Sequence, residues 1–447
     1  MPPAATVEPD RTFRLTRPHA PGILPSAIRP AGLVLAILLT AGLLTVIGRP
    51  GEAPVYEKAA IRLSQGEMIY RPDDPPAFTY PPFFALAYVP LLALPAQLRL
   101  FAWNSLNLAL LTAILALLTD LAAPWLKHHL EGRSATRWTV AGLIAVIGVL
   151  GTRFLISPLE YRSHDYWVLL AVLLAARAIR DEREGRAGIW AGLAAACKAT
   201  PLLLLPMFIW QRRPRAALAM TIAGLLATLL PDVLFPSHTG DIWSVAWYRS
   251  FVSKVEIGSA PDAAGAWASW NALNQSLSGT LYRCFTAVPV AEHQWDISLV
   301  SLTAGQLRVV TVGLELAIIG LLAWATWRRA DQESKTRGFW VLGQFSLVLC
   351  AMLLLSPMSS KQHFCALIPG LTFLTLIAWG QPPARLARVA LMVVFAVGTL
   401  GAKDLIGAAA RTQLQAYGSV TWCTMACFLA IAGVLINQSR RMGQAAA

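Results

Sequence analysis

Apolar runs recur from Leu33 almost to the end of the chain, and short polar links separate them. Most of the runs approach the ~20 residues that a helix needs to cross the hydrocarbon of a bilayer. They are rich in Leu and Ala and lack the alternation of a barrel strand, so the expected element is the helix, which satisfies its own backbone N–H and C=O groups in lipid. Crossings are expected at 33–47, 101–121, 140–156, 166–179, 217–234, 309–327, 339–355, 364–378, 389–400 and 420–436. The stretch 187–210 breaks at Lys198-Ala199-Thr200-Pro201, because proline disfavours helix at the residue before it, and predicts two short helices meeting at an outer turn. A further run, 83–94, is bracketed and interrupted by Pro81, Pro82, Pro90 and Pro95. It is too short for a crossing and predicts a re-entrant or interfacial helix. The pattern as a whole predicts an all-α, polytopic transmembrane helical bundle of about twelve spans, with re-entrant or interfacial helices outside.

Composition agrees with that pattern and charge orients it. Of the 447 residues 56% are hydrophobic and only 14% charged, too apolar for a soluble chain that must cover itself with polar surface. A net charge of +13 would otherwise raise nucleic acid as a partner, but Lys and Arg cluster in the short links between apolar runs, as topology requires. Arg11, Arg14, Arg17 and Arg29 precede the first run and put the N-terminus in the cytoplasm. Residues 1–30 are too polar, and too long before Leu33, to be the n-region of a cleaved signal peptide; they read as a cytoplasmic tail. The membrane domain then covers 31–437, with outer loops at 50–99 and 235–306, and 438–447 forms a second cytoplasmic tail. The loop at 235–306 is too long for a connector, which marks it as functional. Six cysteines include no Cys-x-x-Cys pair, so neither a disulfide framework nor a metal site is expected, and no cofactor is called for.

With this topology the unusual polar residues near the membrane edge gather on one side, the outer one. They are Glu52, Tyr56 and Tyr80; Glu160, Arg162, His164 and Asp165; Lys198; Asn271, Asn274, Gln275, Ser276 and Arg283; and Lys361, Gln362 and His363. Burying ionisable groups at that depth is costly, which makes them candidates for function. The alternative is a set of interfacial anchors and helix caps. Lys198 is either a snorkelling residue or a phosphate ligand, Arg283 either a phosphate ligand or the partner of an acidic neighbour, and Asn274 with Gln275 either touch substrate or hold the loop's backbone. Asp73, Asp74, Glu160 and Asp165 compete with Glu52 for the role of base. The tyrosines and the 16 tryptophans are either a belt at the membrane–water boundary or platforms for sugar rings.

Several stretches carry a resemblance. Glu52-Ala53-Pro54-Val55-Tyr56-Glu57-Lys58-Ala59-Ala60, then Gln65-Gly66-Glu67-Met68-Ile69-Tyr70 and Phe78-Thr79-Tyr80-Pro81-Pro82-Phe83, resemble the first outer loop of glycosyltransferase family 87, which contains polyprenyl-phosphate-mannose-dependent α-mannosyltransferases of the GT-C superfamily. Gly192-Leu193-Ala194-Ala195-Ala196-Cys197-Lys198-Ala199-Thr200-Pro201 resembles the family's Gly-rich helix ending in Lys-x-Thr-Pro. Asn274-Gln275-Ser276 with Arg283, and Ser356-Pro357 with His363, resemble two further motifs, and all of them occur in the family's order. Two positions depart from the pattern: Glu52 stands where the family usually has Asp, and Arg162-Ser163-His164-Asp165 stands where Gly-Gln-x-Asn is common.

The resemblance implies a GT-C-type bundle in the cytoplasmic (inner) membrane with its active site on the extracytoplasmic side. It implies a polyprenyl-phosphate sugar donor, a glycan or glycolipid acceptor and inversion of the anomeric carbon; metal independence is expected because no metal-ligand spacing stands out in the sequence. Glu52 would be the catalytic base, Lys198, Arg283 and His363 would bind the donor phosphate, with His363 also catalytic, and Tyr56, Tyr80, Asp165, Asn274, Gln275 and Ser276 would bind substrate. The competing classes are a flippase or other transporter of lipid-linked saccharides, a transferase of arabinofuranose or another pentose, and a catalytically dead scaffold. A transporter should carry paired charges within its spans and open to both faces.

Overall fold

A computed structural model describes residues 28–130, 137–256, 258–260, 262–287, 297–329, 336–380 and 384–445. The expected tail at 1–30 lies almost wholly outside the described residues, as does most of the basic link that follows residue 130. Among the described residues all regular structure is helical. Eight helices among the described residues are long and apolar enough to cross a membrane. They lie in α1 (Ile28–Ile47), α4 (Ala96–Leu130), α5 (Arg137–Glu160), α9 (Pro214–Leu234), α12 (Ala304–Thr326), α13 (Arg337–Leu355), the stretch Lys361–Gly380 that ends in α14 (Ile368–Gly380), and α18 (Ser419–Ala445).

The expectation of about twelve crossings therefore exceeds the number of full-length spans. The surplus falls on helices with recognisable stops. Helix α6 (Asp165–Arg180) has 16 residues between charged ends, and α7 (Glu184–Cys197) has 14 and stops at the Lys198 break. The apolar piece after it, Thr200–Trp210, includes α8 (Leu204–Trp210), and α15 (Arg385–Val393) has 9 residues before the helix loosens at Val394–Thr399. The run after Tyr80-Pro81-Pro82 forms α3 (Pro82–Tyr88) and a short 3-10 turn, the non-crossing helix its prolines predict. With α2 (Ala53–Ser64), α10 (Trp243–Ser250), α11 (Leu277–Phe285), α16 (Lys403–Ile406) and α17 (Ala408–Ala416) it makes up the short helices between the spans.

The centre of the bundle is α13, whose residues are buried continuously from Gly338 to Leu354 against α4, α6, α14 and α18. On one side α7 packs closely on α9 because Gly192 leaves room: a Cβ there would lie 2.6 Å from the carbonyl oxygen of Met220. The Gly-rich part of that helix thus has a packing role, and its last turn delivers Lys198 to the end of the bundle.

The links between helices sort into two ends. At one, Arg180 pairs with Asp120 at 2.8 Å, Arg213 with Glu184 at 3.1 Å, and Arg329 donates to the carbonyl of Gln211 at 2.8 Å. At the other, the junctions after α1, α5, α7 and α13 meet the segment ahead of α11, and nearly all of the candidate site residues lie there.

Candidate active site

Glu52 is placed by its backbone before its carboxylate is considered. The chain leaves α1, turns at Gly51 with φ +59, and the Glu52 N–H donates to the carbonyl of Tyr161 at 2.8 Å. A side chain at Gly51 would run into that carbonyl, so glycine is required there. Glu52 then occupies the N-cap of α2, which puts Tyr56 one turn along on the same face.

The carboxylate is held by neutral donors. Oε2 accepts from the hydroxyls of Tyr56 and Tyr80, the latter at 3.0 Å, and Oε1 accepts from Gln362 Nε2 at 2.5 Å. Tyr56 has a single hydroxyl proton; given to Glu52, it leaves the phenol oxygen to accept from His164 Nδ1–H at 3.1 Å. His164 Nε2 is then an acceptor, and it is buried with no hydrogen-bond partner among the described residues. The rings of Tyr80 and Phe84 pack on the imidazole with centroids 4.3 and 4.2 Å away. Burial keeps the His164 imidazole neutral, pushed down to about 3. Burial likewise holds the Glu52 carboxyl above the ordinary carboxylate range; hydrogen bonds from Tyr56 and Tyr80 and the charge of Lys198 oppose that rise, and the charge of Asp165 adds to it. A carboxylate tuned upward and held in reach of a cavity has the properties of a general base.

The competing carboxylates are engaged elsewhere. Asp74 is taken by Arg62 and Lys58, and the hydrogen bond from Arg62, against burial, draws it down to about 2. Glu160 pairs with Lys361 at 2.7 Å, Asp165 pairs with Lys198 Nζ at 2.8 Å, and Asp73 is exposed.

Two cavities meet at this end of the bundle. The larger, about 260 Å³, is lined by the polar side chains of Glu52, Tyr56, Tyr80, Gln362 and His363 among others and by Trp267, Leu273 and Met358. The smaller, about 40 Å³, is lined by the polar residues Lys198, Asp165, Ser356 and Ser359 and by the apolar residues Val168, Leu169, Met352 and Leu353, among others. His363 lines both. Its Nδ1 accepts the Ser360 N–H at 3.2 Å, so Nε2 carries the proton and is a donor. Asp165 Oδ2 is buried and, among the described residues, has no hydrogen-bond partner, an acceptor beside the Lys198 ammonium.

Glu52, Tyr56, Tyr80, Asp165, Lys198 and His363 are therefore brought together. Asn274, Gln275, Ser276 and Arg283 are not among the residues lining either cavity. Arg283 is 3% exposed, and its guanidinium donates to four backbone carbonyls, those of Ala416, Ser269, Asn271 and Asn274, at 2.8 to 3.1 Å. Ser276 caps α11, accepting from the Gly279 N–H at 3.0 Å, and the amides of Asn274 and Gln275 bond loop backbone on both sides. The contacts that this motif makes are to loop backbone. Two residues noted in the sequence without a role, His164 and Gln362, bond the Glu52 network; their only signal was adjacency to Asp165 and His363. Among the described residues no three His, Cys, Asp or Glu side chains converge to hold a metal ion, and all six cysteines are buried free thiols.

Residues 78–357 match the family described as Glycosyltransferase family 87. That range includes Asp165 and Lys198 and stops short of Glu52 and His363. A polyprenol-phosphate-mannose-dependent alpha-(1-2)-phosphatidylinositol pentamannoside mannosyltransferase of Mycolicibacterium smegmatis is 27% identical over 340 residues, 74% of this chain and 71% of that protein. Its counterpart of the same description in Mycobacterium tuberculosis is 26% identical over 352 residues, 77% of this chain and 70% of that one. A polyprenol-phosphate-mannose-dependent alpha-(1-2)-phosphatidylinositol mannoside mannosyltransferase of Mycolicibacterium smegmatis is 24% identical over 395 residues, 87% of this chain and 81% of that protein. No solved structure matches the chain.

Proposed function

The chain belongs to glycosyltransferase family 87, and we propose that it transfers mannose from a polyprenyl-phosphate donor to a glycan or glycolipid acceptor, with inversion at the anomeric carbon. The names of its relatives supply the sugar, the donor and a glycolipid as acceptor class. One observation carries the mechanism: a carboxylate faces one cavity, an ammonium faces the next, and His363 is common to the walls of both.

Inverting displacement needs the incoming hydroxyl and the leaving phosphate on opposite sides of one carbon. The acceptor hydroxyl enters the larger cavity, where Glu52 takes its proton as the new C–O bond forms. The bond from the anomeric carbon to the phosphate oxygen breaks, and its electron pair stays on the phosphate, received by Lys198 and by His363 Nε2–H. A phosphate leaves as an anion without being protonated, so a single carboxylate suffices where a glycosidase uses two. Asp165 Oδ2, an acceptor without a partner, takes a hydroxyl of the donor sugar. The apolar walls of the smaller cavity suit the first isoprene units. The gathering of basic links at the opposite end of the bundle supports a site on the extracytoplasmic side of the cytoplasmic membrane.

The test is transfer from radiolabelled polyprenyl-phosphate mannose to cell-envelope lipids by membranes carrying the wild-type chain or Glu52→Gln. The wild type should transfer and the variant should not. Equal transfer by both removes Glu52 from the mechanism, and no transfer from any lipid-phosphate sugar overturns the reading.

A further inference from the structure

The larger cavity has a wall that the transfer chemistry leaves unused. Trp267 lines it together with Leu273 and Met358, and its side chain remains partly open, at 36% exposure. A belt tryptophan at the membrane boundary faces lipid; this indole shares a cavity with the carboxylate of Glu52. The cavity's about 260 Å³ is many times the ~30 Å³ share of one water, and its lining includes a tryptophan as well as acceptors and donors.

The loop that presents Trp267 is fastened at every turn. The Trp267 N–H donates to Met358 Sδ at 3.0 Å, and its carbonyl accepts from Asn274 Nδ2 at 3.1 Å, so the backbone is fixed on both sides of the ring. Gly265, at φ +81, lies so close to Ala77 that a Cβ would sit 2.8 Å from its carbonyl oxygen. Further on, Arg283 collects the carbonyls of Ser269, Asn271 and Asn274, and the Gln275 N–H donates to Ser359 at 2.6 Å. A large apolar ring left partly uncovered on a hydrogen-bonded backbone is preorganised for a ligand with an apolar face.

We infer that Trp267 is the acceptor platform: the C–H face of the acceptor's terminal sugar ring stacks on its indole, and this directs a ring hydroxyl to Glu52. The inference rests on the transfer reading above. It also gives the Asn274-Gln275-Ser276 motif and Arg283 a function, since they hold the wall on which the acceptor lies.

Octyl α-mannoside serves as the acceptor probe for the full chain in lipid nanodiscs, with polyprenyl-phosphate mannose as donor. Trp267→Ala should raise the acceptor KM about 10-fold and leave the donor KM unchanged, Trp267→Phe should restore most of the affinity, and Trp270→Ala, exposed but away from the cavity lining, should change neither. Saturation-transfer NMR of the mannoside ring protons reads binding without catalysis, and their signal should fall in Trp267→Ala. Loss of that signal in Trp267→Ala, together with absence of transfer by the wild type and every variant, would sink the transfer reading and leave Trp267 a mannoside-binding surface only. An unchanged acceptor KM and ring signal, or a rise in donor KM alone, would overturn the platform.

Discussion

Two polar clusters are buried a short distance apart at the same end of this bundle, and their difference lies in what their donors and acceptors have left to give. Around Arg283 the account is closed: its guanidinium meets four backbone carbonyls and the neighbouring amides bond the loop. Around Glu52 and Lys198 it is open. Glu52 is held by neutral donors and faces a cavity, Asp165 Oδ2 has no hydrogen-bond partner among the described residues, and His363 Nε2–H makes only a long contact, 3.5 Å, to the Ser360 hydroxyl. Both clusters consist of residues that are costly to bury, so burial alone does not mark chemistry; unspent hydrogen-bonding capacity beside a cavity does.

The largest effect that separates the clusters is expected at Glu52. Glu52→Gln keeps the shape and removes the base, and turnover should fall about 10³-fold with no loss of protein from the membrane. Because burial disfavours the ionised carboxyl, the variant should melt no lower than the wild type. Transfer rate beside thermal stability in detergent checks both halves. A variant that loses abundance and turnover together would move Glu52 into the structural cluster.

Lys198 should come next, and it needs a pair of variants because its partner is buried. Lys198→Met leaves Asp165, at 6% side-chain exposure, as an uncompensated charge, a loss of about 3 kcal/mol in stability along with about 10²-fold in turnover. Adding Asp165→Asn removes the stranded charge, so abundance should recover while turnover does not. Recovery of both in the double variant would make the pair a structural ion pair.

How much of this was legible in the sequence differs between the two clusters for a physical reason. The break at Lys198-Ala199-Thr200-Pro201 and the non-crossing helix after Tyr80-Pro81-Pro82 follow from proline's local geometry, and both are where the pattern put them. Charge bookkeeping on the links puts Glu52, Lys198, Arg283 and His363 at one end of the bundle; Glu52 lines one cavity, Lys198 the other and His363 both, and Arg283 lines neither. The role of Arg283 does not follow from that bookkeeping, because its partners are carbonyls from Ser269 to Ala416, and any residue supplies a carbonyl. Hydropathy is silent in the same way about position in the bundle. The spans Pro30–Ile47 and Arg337–Leu355 have mean hydropathies of 2.3 and 2.1, yet 6% of the first window and 94% of the second is buried. Both are apolar enough for lipid; only packing decides which one meets it. Spans shortened by end charges, such as α6, were counted with the rest because the apolar run, not the helix, is what the sequence displays.

Arg283→Gln probes the closed cluster. Four carbonyls lose a charged donor, and stability should drop by about 2 kcal/mol. In the protein that still folds, the acceptor KM should rise with little change in kcat, since the loosened loop carries Trp267 rather than the reacting groups. A kcat loss with both KM values intact would place Arg283 in the chemistry after all.

The smallest effect sits inside the open cluster. Tyr56 donates to Glu52 and accepts from His164, so Tyr56→Phe removes a hydrogen bond that favours the ionised carboxylate. That bond lowers the Glu52 carboxyl, and without it the carboxyl moves further above its ordinary value. The base works only when ionised, so the acid limb of the kcat profile should shift to higher pH, and at pH values above that limb turnover should fall about fivefold or less. His164, pushed down to about 3, stays neutral throughout and contributes no limb of its own in the range assayed. A profile that keeps its acid limb in place while falling uniformly would show that Tyr56 orients substrate, and that the limb belongs to a group other than Glu52.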